Sequence, residues 1–131
     1  MIFLDTSGIS ALADVDDVNH QAAVDAFQAT LKAGRRIVTS NYVLVESAAL
    51  LQRRLGQKSA LALLRDASKF DLTWITAEIH ALGVRRLSEA GSSNLSLVDA
   101  ISFVVMRLGG IDTYLGFDRH FDAEGFRRVP S

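Results

Sequence analysis

The chain has no cysteine and a single proline, Pro130. The first absence excludes disulfide scaffolds and thiolate metal centres. The second leaves the backbone before it free of the residue that most often breaks helices and strands. No apolar run approaches the roughly 20 residues that span a bilayer. No basic segment precedes the N-terminal apolar stretch, and Asp5 interrupts it, so no signal peptide is expected and a cytoplasmic location is the default. Charge of neither sign dominates: 14 basic and 15 acidic side chains leave a net charge of −1, so the whole surface is not a magnet for nucleic acid. Repeats and low-complexity tracts are missing. So are a glycine-rich loop ending in Gly-Lys-Ser/Thr, a Gly-X-Ser-X-Gly nucleophile elbow, and a second Asp two positions after Asp5 of the kind aspartyl-phosphate chemistry uses.

What is present is one domain's worth of material. The 131 residues are 49% hydrophobic and 22% charged, a globular profile, and a single domain over 1–131 is expected. Residues 1–5 read as a buried strand, and 7–13 as a short helix capped by Ser7 or Thr6. After a turn at 14–17, an amphipathic helix over 18–33 places Ala22, Ala23, Ala26, Phe27, Thr30 and Leu31 on one face and stops at Gly34. A strand over 36–39 leads into a helix capped by Ser40 or Asn41 and ended by Gly56. Another helix covers 57–69, and a strand with alternating pattern covers 70–75. A helix over 77–89 is capped by Thr76, a loop spans 91–94, and Ser96 caps a helix over 97–108. A strand over 113–117, a helical turn at 119–122 and a strand over 127–129 complete the chain. Strands alternating with helices imply right-handed crossovers, a mostly parallel sheet of about five strands, and helices on both faces.

Four acids stand in apolar settings: Asp5, Glu46, Asp99 and Asp118. Asp5 ends the run Ile2-Phe3-Leu4, where a parallel sheet delivers side chains to a ligand; the plain alternative is a helix cap. Glu46 lies mid-helix between Tyr42, Val43, Ala49 and Leu50, where a carboxylate is costly unless paired or metal-bound. Asp99 stands three residues after Ser96, a capping-box spacing, in a helix that is otherwise apolar until Arg107. Asp118 follows Tyr114-Leu115-Gly116-Phe117 and shares the strand-end argument, with Asp112 and Asp122 as rivals. Thr6, Ser7, Asn41 and Ser96 would orient carboxylates or hydrogen-bond water, or simply cap helices. Tyr42 and Trp74 are expected in the core. Oxygen-only ligands select Mg²⁺ or Mn²⁺. Such an ion would offset the mutual repulsion of the acids and activate water for attack on a phosphodiester, with no covalent enzyme intermediate. Basic residues come in pairs. Arg53-Arg54 and Arg85-Arg86 fall in helices and are the expected phosphate contacts, with His120 as a further substrate contact.

Four segments together, Phe3-Leu4-Asp5-Thr6-Ser7, Ser40-Asn41-Tyr42-Val43-Leu44-Val45-Glu46, Ser96-Leu97-Val98-Asp99-Ala100 and Phe117-Asp118-Arg119-His120-Phe121, resemble the PIN-domain ribonucleases, specifically VapC-type toxins of toxin–antitoxin pairs. The resemblance runs the full length. It implies a three-layer α/β/α fold, metal binding by Asp5, Glu46, Asp99 and Asp118, and Mg²⁺- or Mn²⁺-dependent cutting of structured RNA such as transfer or ribosomal RNA. It also implies a homodimer and a cognate VapB-type antitoxin. The fourth acid is the family's least constant one. Other readings compete: a PIN-like nuclease with housekeeping or DNA substrates, a non-catalytic acidic pocket that receives a basic peptide, and a receiver-type phosphorelay domain. No Lys follows a late strand near the acids, which weighs against the last.

Overall fold

The computed structural model describes residues 1–91 and 94–131; the expected loop at 91–94 lies partly outside the described residues. Five short strands form one sheet: β1 (Ile2–Leu4), β2 (Ile37–Ser40), β3 (Asp71–Thr73), β4 (Thr113–Leu115) and β5 (Arg127–Val129). Their order is β3-β2-β1-β4-β5, and every pairing is parallel. The helices are α1 (Thr6–Ala13), α2 (His20–Lys32), α3 (Asn41–Leu55), α4 (Gln57–Asp66), α5 (Ala77–Glu89), α6 (Leu97–Leu108) and α7 (Arg119–Ala123). They cover both faces of the sheet, giving the three-layer α/β arrangement that the alternating pattern anticipates.

The central strand is the most apolar one. Phe3 and Leu4 of β1 and Tyr114 and Leu115 of β4 are fully buried, and they pair in register as Phe3 with Tyr114 and Leu4 with Leu115. The Phe121 ring stacks on Tyr114 at 4.7 Å and meets Phe103 edge-on at 4.9 Å, which ties α7 and α6 to the sheet. Gly8 explains how α1 lies so close to β4. A Cβ at that position would sit 2.5 Å from the Leu115 carbonyl oxygen, so any other residue would push the helix off the strand.

Local chemistry sets the helix starts. Ser40, Thr76 and Ser96 each accept an amide of the helix they precede, at Val43, Ile79 and Asp99. The cap of α1 is neither Ser7 nor Thr6 but Asp5, whose carboxylate accepts the Ser7 amide, because the helix begins one residue earlier than its pattern suggests. The expected helix over 57–69 is α4 followed by a separate 3₁₀ turn at Ala67–Lys69. Tyr42 is partly buried against the core, whereas Trp74 is 69% exposed. Strand β3 is an edge strand that ends at Thr73, so Trp74 falls on the connection beyond it, where nothing requires burial.

Candidate active site

The chain runs β1, β2, β3 toward one edge of the sheet, then returns to β4 and β5 on the other side of β1. The strand order therefore reverses between β1 and β4. At that reversal the connections leaving neighbouring strands diverge and open a crevice beyond the strands' C-terminal ends. Asp5 directly follows β1, and Asp118 follows β4 after Gly116 and Phe117, so the topology delivers both to this crevice. Asp99 arrives from the first turn of α6 and Glu46 from the second turn of α3. All four line one cavity of about 440 Å³, together with Thr6, Ser7 and Ser96.

Asp5, Asp99 and Asp118 are each held by their own short-range partners. Asp5 is 2% exposed; its Oδ2 accepts the Ser7 hydroxyl at 2.7 Å and the Ser7 amide at 3.3 Å. The same Ser7 oxygen accepts the Phe117 amide at 2.8 Å, which joins the exit of β1 to the exit of β4. Asp99 is fixed through its backbone, whose amide donates to Ser96 Oγ at 3.0 Å. Asp118 caps α7, its Oδ1 accepting the His120 amide at 2.9 Å and lying 2.8 Å from His120 Nδ1. That imidazole nitrogen is 4.0 Å from Asp99 Oδ2. One ligand atom from each of Asp99, Asp118 and His120 lies within 4.8 Å of the others.

The electrostatics follow from this crowding. Burial raises the Asp5 carboxyl to about 6; the Asp118 charge adds to the rise and the Ser7 hydrogen bonds oppose it. Burial also raises Asp99, to about 7, with the charges of Asp118 and Asp5 as further causes. Carboxylates brought together in this way are at odds with their own charge. A divalent cation resolves the conflict, and the donors are oxygens with one imidazole beside them, a set suited to a hard or borderline metal ion. Thr6 Oγ1 is buried without a hydrogen-bond partner among the described residues, an unmet polar atom on the wall of the same cavity. The residues present thus fit a divalent ion. Asp99, Asp118 and His120 form the tight group, and Asp5 and Glu46 line the same hollow.

Other expected site residues go elsewhere. The Asn41 side chain accepts the Ile75 amide at 2.7 Å and stitches the exit of β3 to α3. Arg85 pairs with Glu89 on its own helix at 3.5 Å. Arg86 makes two hydrogen bonds to Glu124, at 2.6 and 3.2 Å, and the pair holds the Glu124 carboxyl below its usual range. Arg85 and Arg86 line a hollow between α5 and α6, away from the acids, because their face of α5 meets Phe103 and Glu124. Arg53 is exposed and does not line the acidic cavity, whereas Arg54 does. Of the rival acids, Asp112 accepts the Thr113 hydroxyl at 2.9 Å at the opposite end of β4, and Asp122 accepts the buried Tyr114 hydroxyl at 2.9 Å. Sequence reading missed Ser10, Asp17, Asn19, Leu50 and Phe117 as parts of the cavity wall. The acid-rich turn before α2 was the available signal: Asp17 Oδ1 accepts the Asn19 amide at 2.7 Å and folds the turn toward the crevice.

Known proteins share this fold. The chain is 35% identical over 98% of its length, and 98% of the relative's, to the 23S rRNA-specific endonuclease VapC20 of Mycobacterium tuberculosis. The crystal structure of that toxin, described as sarcin–ricin loop cleaving, superposes with a TM-score of 0.85 over 96% of both chains. At 13% identity, VapBC2 of Rickettsia felis, solved with a promoter DNA fragment, shares the fold with a TM-score of 0.72 over 98% of this chain and 97% of the other. A family model described as PIN domain matches residues 2–126. With an acid at the end of each of the two strands flanking the switch point, and this match along nearly its whole length, the chain belongs to the PIN domain family.

Proposed function

We propose that the protein is a metal-dependent endoribonuclease, the toxin of a type II toxin–antitoxin pair, acting as one PIN domain over residues 1–131. The observation that carries this reading is the single cavity shared by Asp5, Glu46, Asp99 and Asp118, two of them with raised carboxyl pKa values. A receptacle for a basic peptide would need exposed, ionised acids; Asp5 and Asp99 are buried instead. PIN nucleases are a divalent-metal-dependent family. We assign Mg²⁺ or Mn²⁺ to this site on the chemistry of its donors, with Asp5, Glu46, Asp99 and Asp118 as the residues that hold it. When bound, such an ion activates water for in-line attack and offsets charge on the phosphate and leaving oxygen.

The chain's own residues preorganise that chemistry. Ser7 locks the Asp5 carboxylate, Ser96 anchors the turn carrying Asp99, and the α7 amide of His120 fixes Asp118. Burial of Asp5 and Asp99 keeps water competition low at the acids. His120, whose Nδ1 lies 2.8 Å from Asp118 Oδ1, orients that carboxylate, and we assign it a substrate contact through the rest of its ring.

The substrate class is structured RNA. The 35% identical relative is named for 23S ribosomal RNA, which makes ribosomal RNA the first substrate to try and transfer RNA the second. The partners are a VapB-type antitoxin and a second copy of this chain. We assign a cytoplasmic location on the proposed ribosomal substrate; no described helix is long and apolar enough to cross a membrane. The test is cleavage of ribosomal and transfer RNA by purified protein with Mg²⁺ or Mn²⁺. Cutting is expected to stop with chelator and to fall ~100-fold or more in Asp5→Asn. Equal degradation by that variant would reject the mechanism.

A further inference from the structure

Three residues four apart on α3 face the cavity: Glu46, Leu50 and Arg54. Side chains at i, i+4 and i+8 lie on one face of a helix, stacked along its axis at about 6 Å per interval. The stripe thus reads carboxylate, apolar surface, cation, over about 12 Å from end to end. Arg54 is the one basic side chain among those lining the cavity. It is exposed, and no carboxylate lies within salt-bridge distance of it among the described residues. Its fork of donors is therefore uncommitted. Arg86, by contrast, is consumed by Glu124. The turn between α1 and α2 adds Asp17 and Asn19 to the lining, so among the lining residues Arg54 is the single cation amid five acids: Asp5, Asp17, Glu46, Asp99 and Asp118.

We propose that Arg54 is a substrate-positioning contact that holds an RNA backbone phosphate beside the one being cut, so that the RNA runs along α3 with Leu50 beneath the intervening nucleotide. This rests on the endoribonuclease reading and adds the direction in which substrate crosses the site. A phosphate next to the metal site needs a fixed positive partner to offset repulsion from Asp5, Asp99 and Asp118, and the guanidinium is the planar, forked donor suited to phosphate oxygens. Leu50 offers a base or ribose an apolar surface at the middle of the stripe.

Steady-state cleavage of a fluorophore-labelled ribosomal RNA fragment in Mn²⁺, from 50 to 200 mM KCl, tests the assignment. Arg54→Ala is expected to raise KM about tenfold with kcat within about threefold. The slope of log(kcat/KM) against log[salt] should become shallower by about 0.7–0.9, the loss of one phosphate contact. Arg54→Lys should restore the slope while recovering only part of KM. Arg65→Ala on α4, with the same change in net charge outside the cavity, controls for general electrostatics. Equal effects of Arg54→Ala and Arg65→Ala overturn the proposal, as does a fall in kcat with unchanged KM and slope. If Arg54→Ala leaves RNA kinetics intact but weakens inhibition by the antitoxin, the residue serves the protein partner and the proposal fails. Absence of cutting by the unaltered protein overturns the endoribonuclease reading itself, a different result from cutting that ignores Arg54.

Discussion

The Ser7 hydroxyl lies 2.7 Å from Asp5 Oδ2 and is the donor in that bond, while its oxygen accepts the amide of Phe117. One small side chain therefore fixes a buried carboxylate and the start of the segment that presents Asp118. Ser7→Ala removes both bonds and leaves the Phe117 N–H without its partner. The expected loss is about 1–3 kcal/mol of stability together with a lower kcat. Urea denaturation and RNA cleavage check the two parts separately. Unchanged stability would mean that water replaces the hydroxyl.

Gly116 is the neighbouring constraint. A Cβ there would lie 2.8 Å from Ser7 Oγ and 3.2 Å from the Asp5 Cβ and Oδ2. Gly116→Ala should displace the Ser7 and Asp5 side chains and cost activity by ~10-fold or more, since misplacement by a fraction of an ångström is felt in such sites. The cleavage rate of the folded variant is the readout. Near-normal cleavage would show that the pair can shift without harm.

The raised carboxyls make a prediction about the metal-free protein. Asp5 and Asp99 have folded values of about 6 and 7, above 3.8 for the free side chain. A group raised on folding stabilises fully below its unfolded value and loses that contribution as pH rises through its folded value. Stability in chelator should thus fall by several kcal/mol between pH 4 and pH 8, on the order of 1.4 kcal/mol for each pH unit by which a carboxyl is raised. Glu124, held low by Arg86, acts oppositely and only at more acid pH. Urea midpoints at pH 5 and pH 8 measure the trend, and Mn²⁺ at pH 8 should restore much of the loss. A midpoint higher at pH 8 in chelator would contradict the crowded-acid picture.

Asp99→Asn should stabilise the metal-free protein at pH 8 while abolishing cleavage. Removing one charge relieves Asp5 and Asp118, and the Ser96 bond to the residue 99 amide remains. A gain of about 1–2 kcal/mol, a few degrees in Tm, is expected. A clear fall in Tm would mark Asp99 as a structural cap.

Arg86→Ala should act on stability. It strips the half-buried Glu124 of its two strongest hydrogen bonds and loosens α5 from the turn after α7. About 1–2 kcal/mol is expected, discounted for partial exposure and for Arg107, whose guanidinium stays 3.7 Å from the same carboxylate. Charge-neutral Glu124→Gln should soften the loss when combined with Arg86→Ala; an unsoftened double variant would mean that the ion pair is not the cause.

Much of this molecule could be read before its coordinates. Period and caps announced the strand–helix alternation, and Ser96 and Thr76 start their helices where hydroxyls before apolar runs say they should. Asp5, Glu46, Asp99 and Asp118 stood out because each interrupts an apolar context, and the structure gathers them into one hollow. What stayed hidden depends on neighbours distant in the chain. Nothing local to Arg86 announces that Glu124 will consume it. Trp74 looks like core by type, yet its place past an edge strand leaves it in solvent. Asn41 reads as a site amide beside a cap, but it serves the Ile75 backbone. Asp17 and Asn19 sit in a turn whose direction only the packed α1 and α2 determine.

The switch point between β1 and β4 also sets a timetable. Asp5 and Asp118 stand over a hundred positions apart in the sequence, yet both line the hollow. A chain made only partway to Asp118 therefore lacks one wall of the hollow, and the four acids can come together only after the exit of β4 has been made.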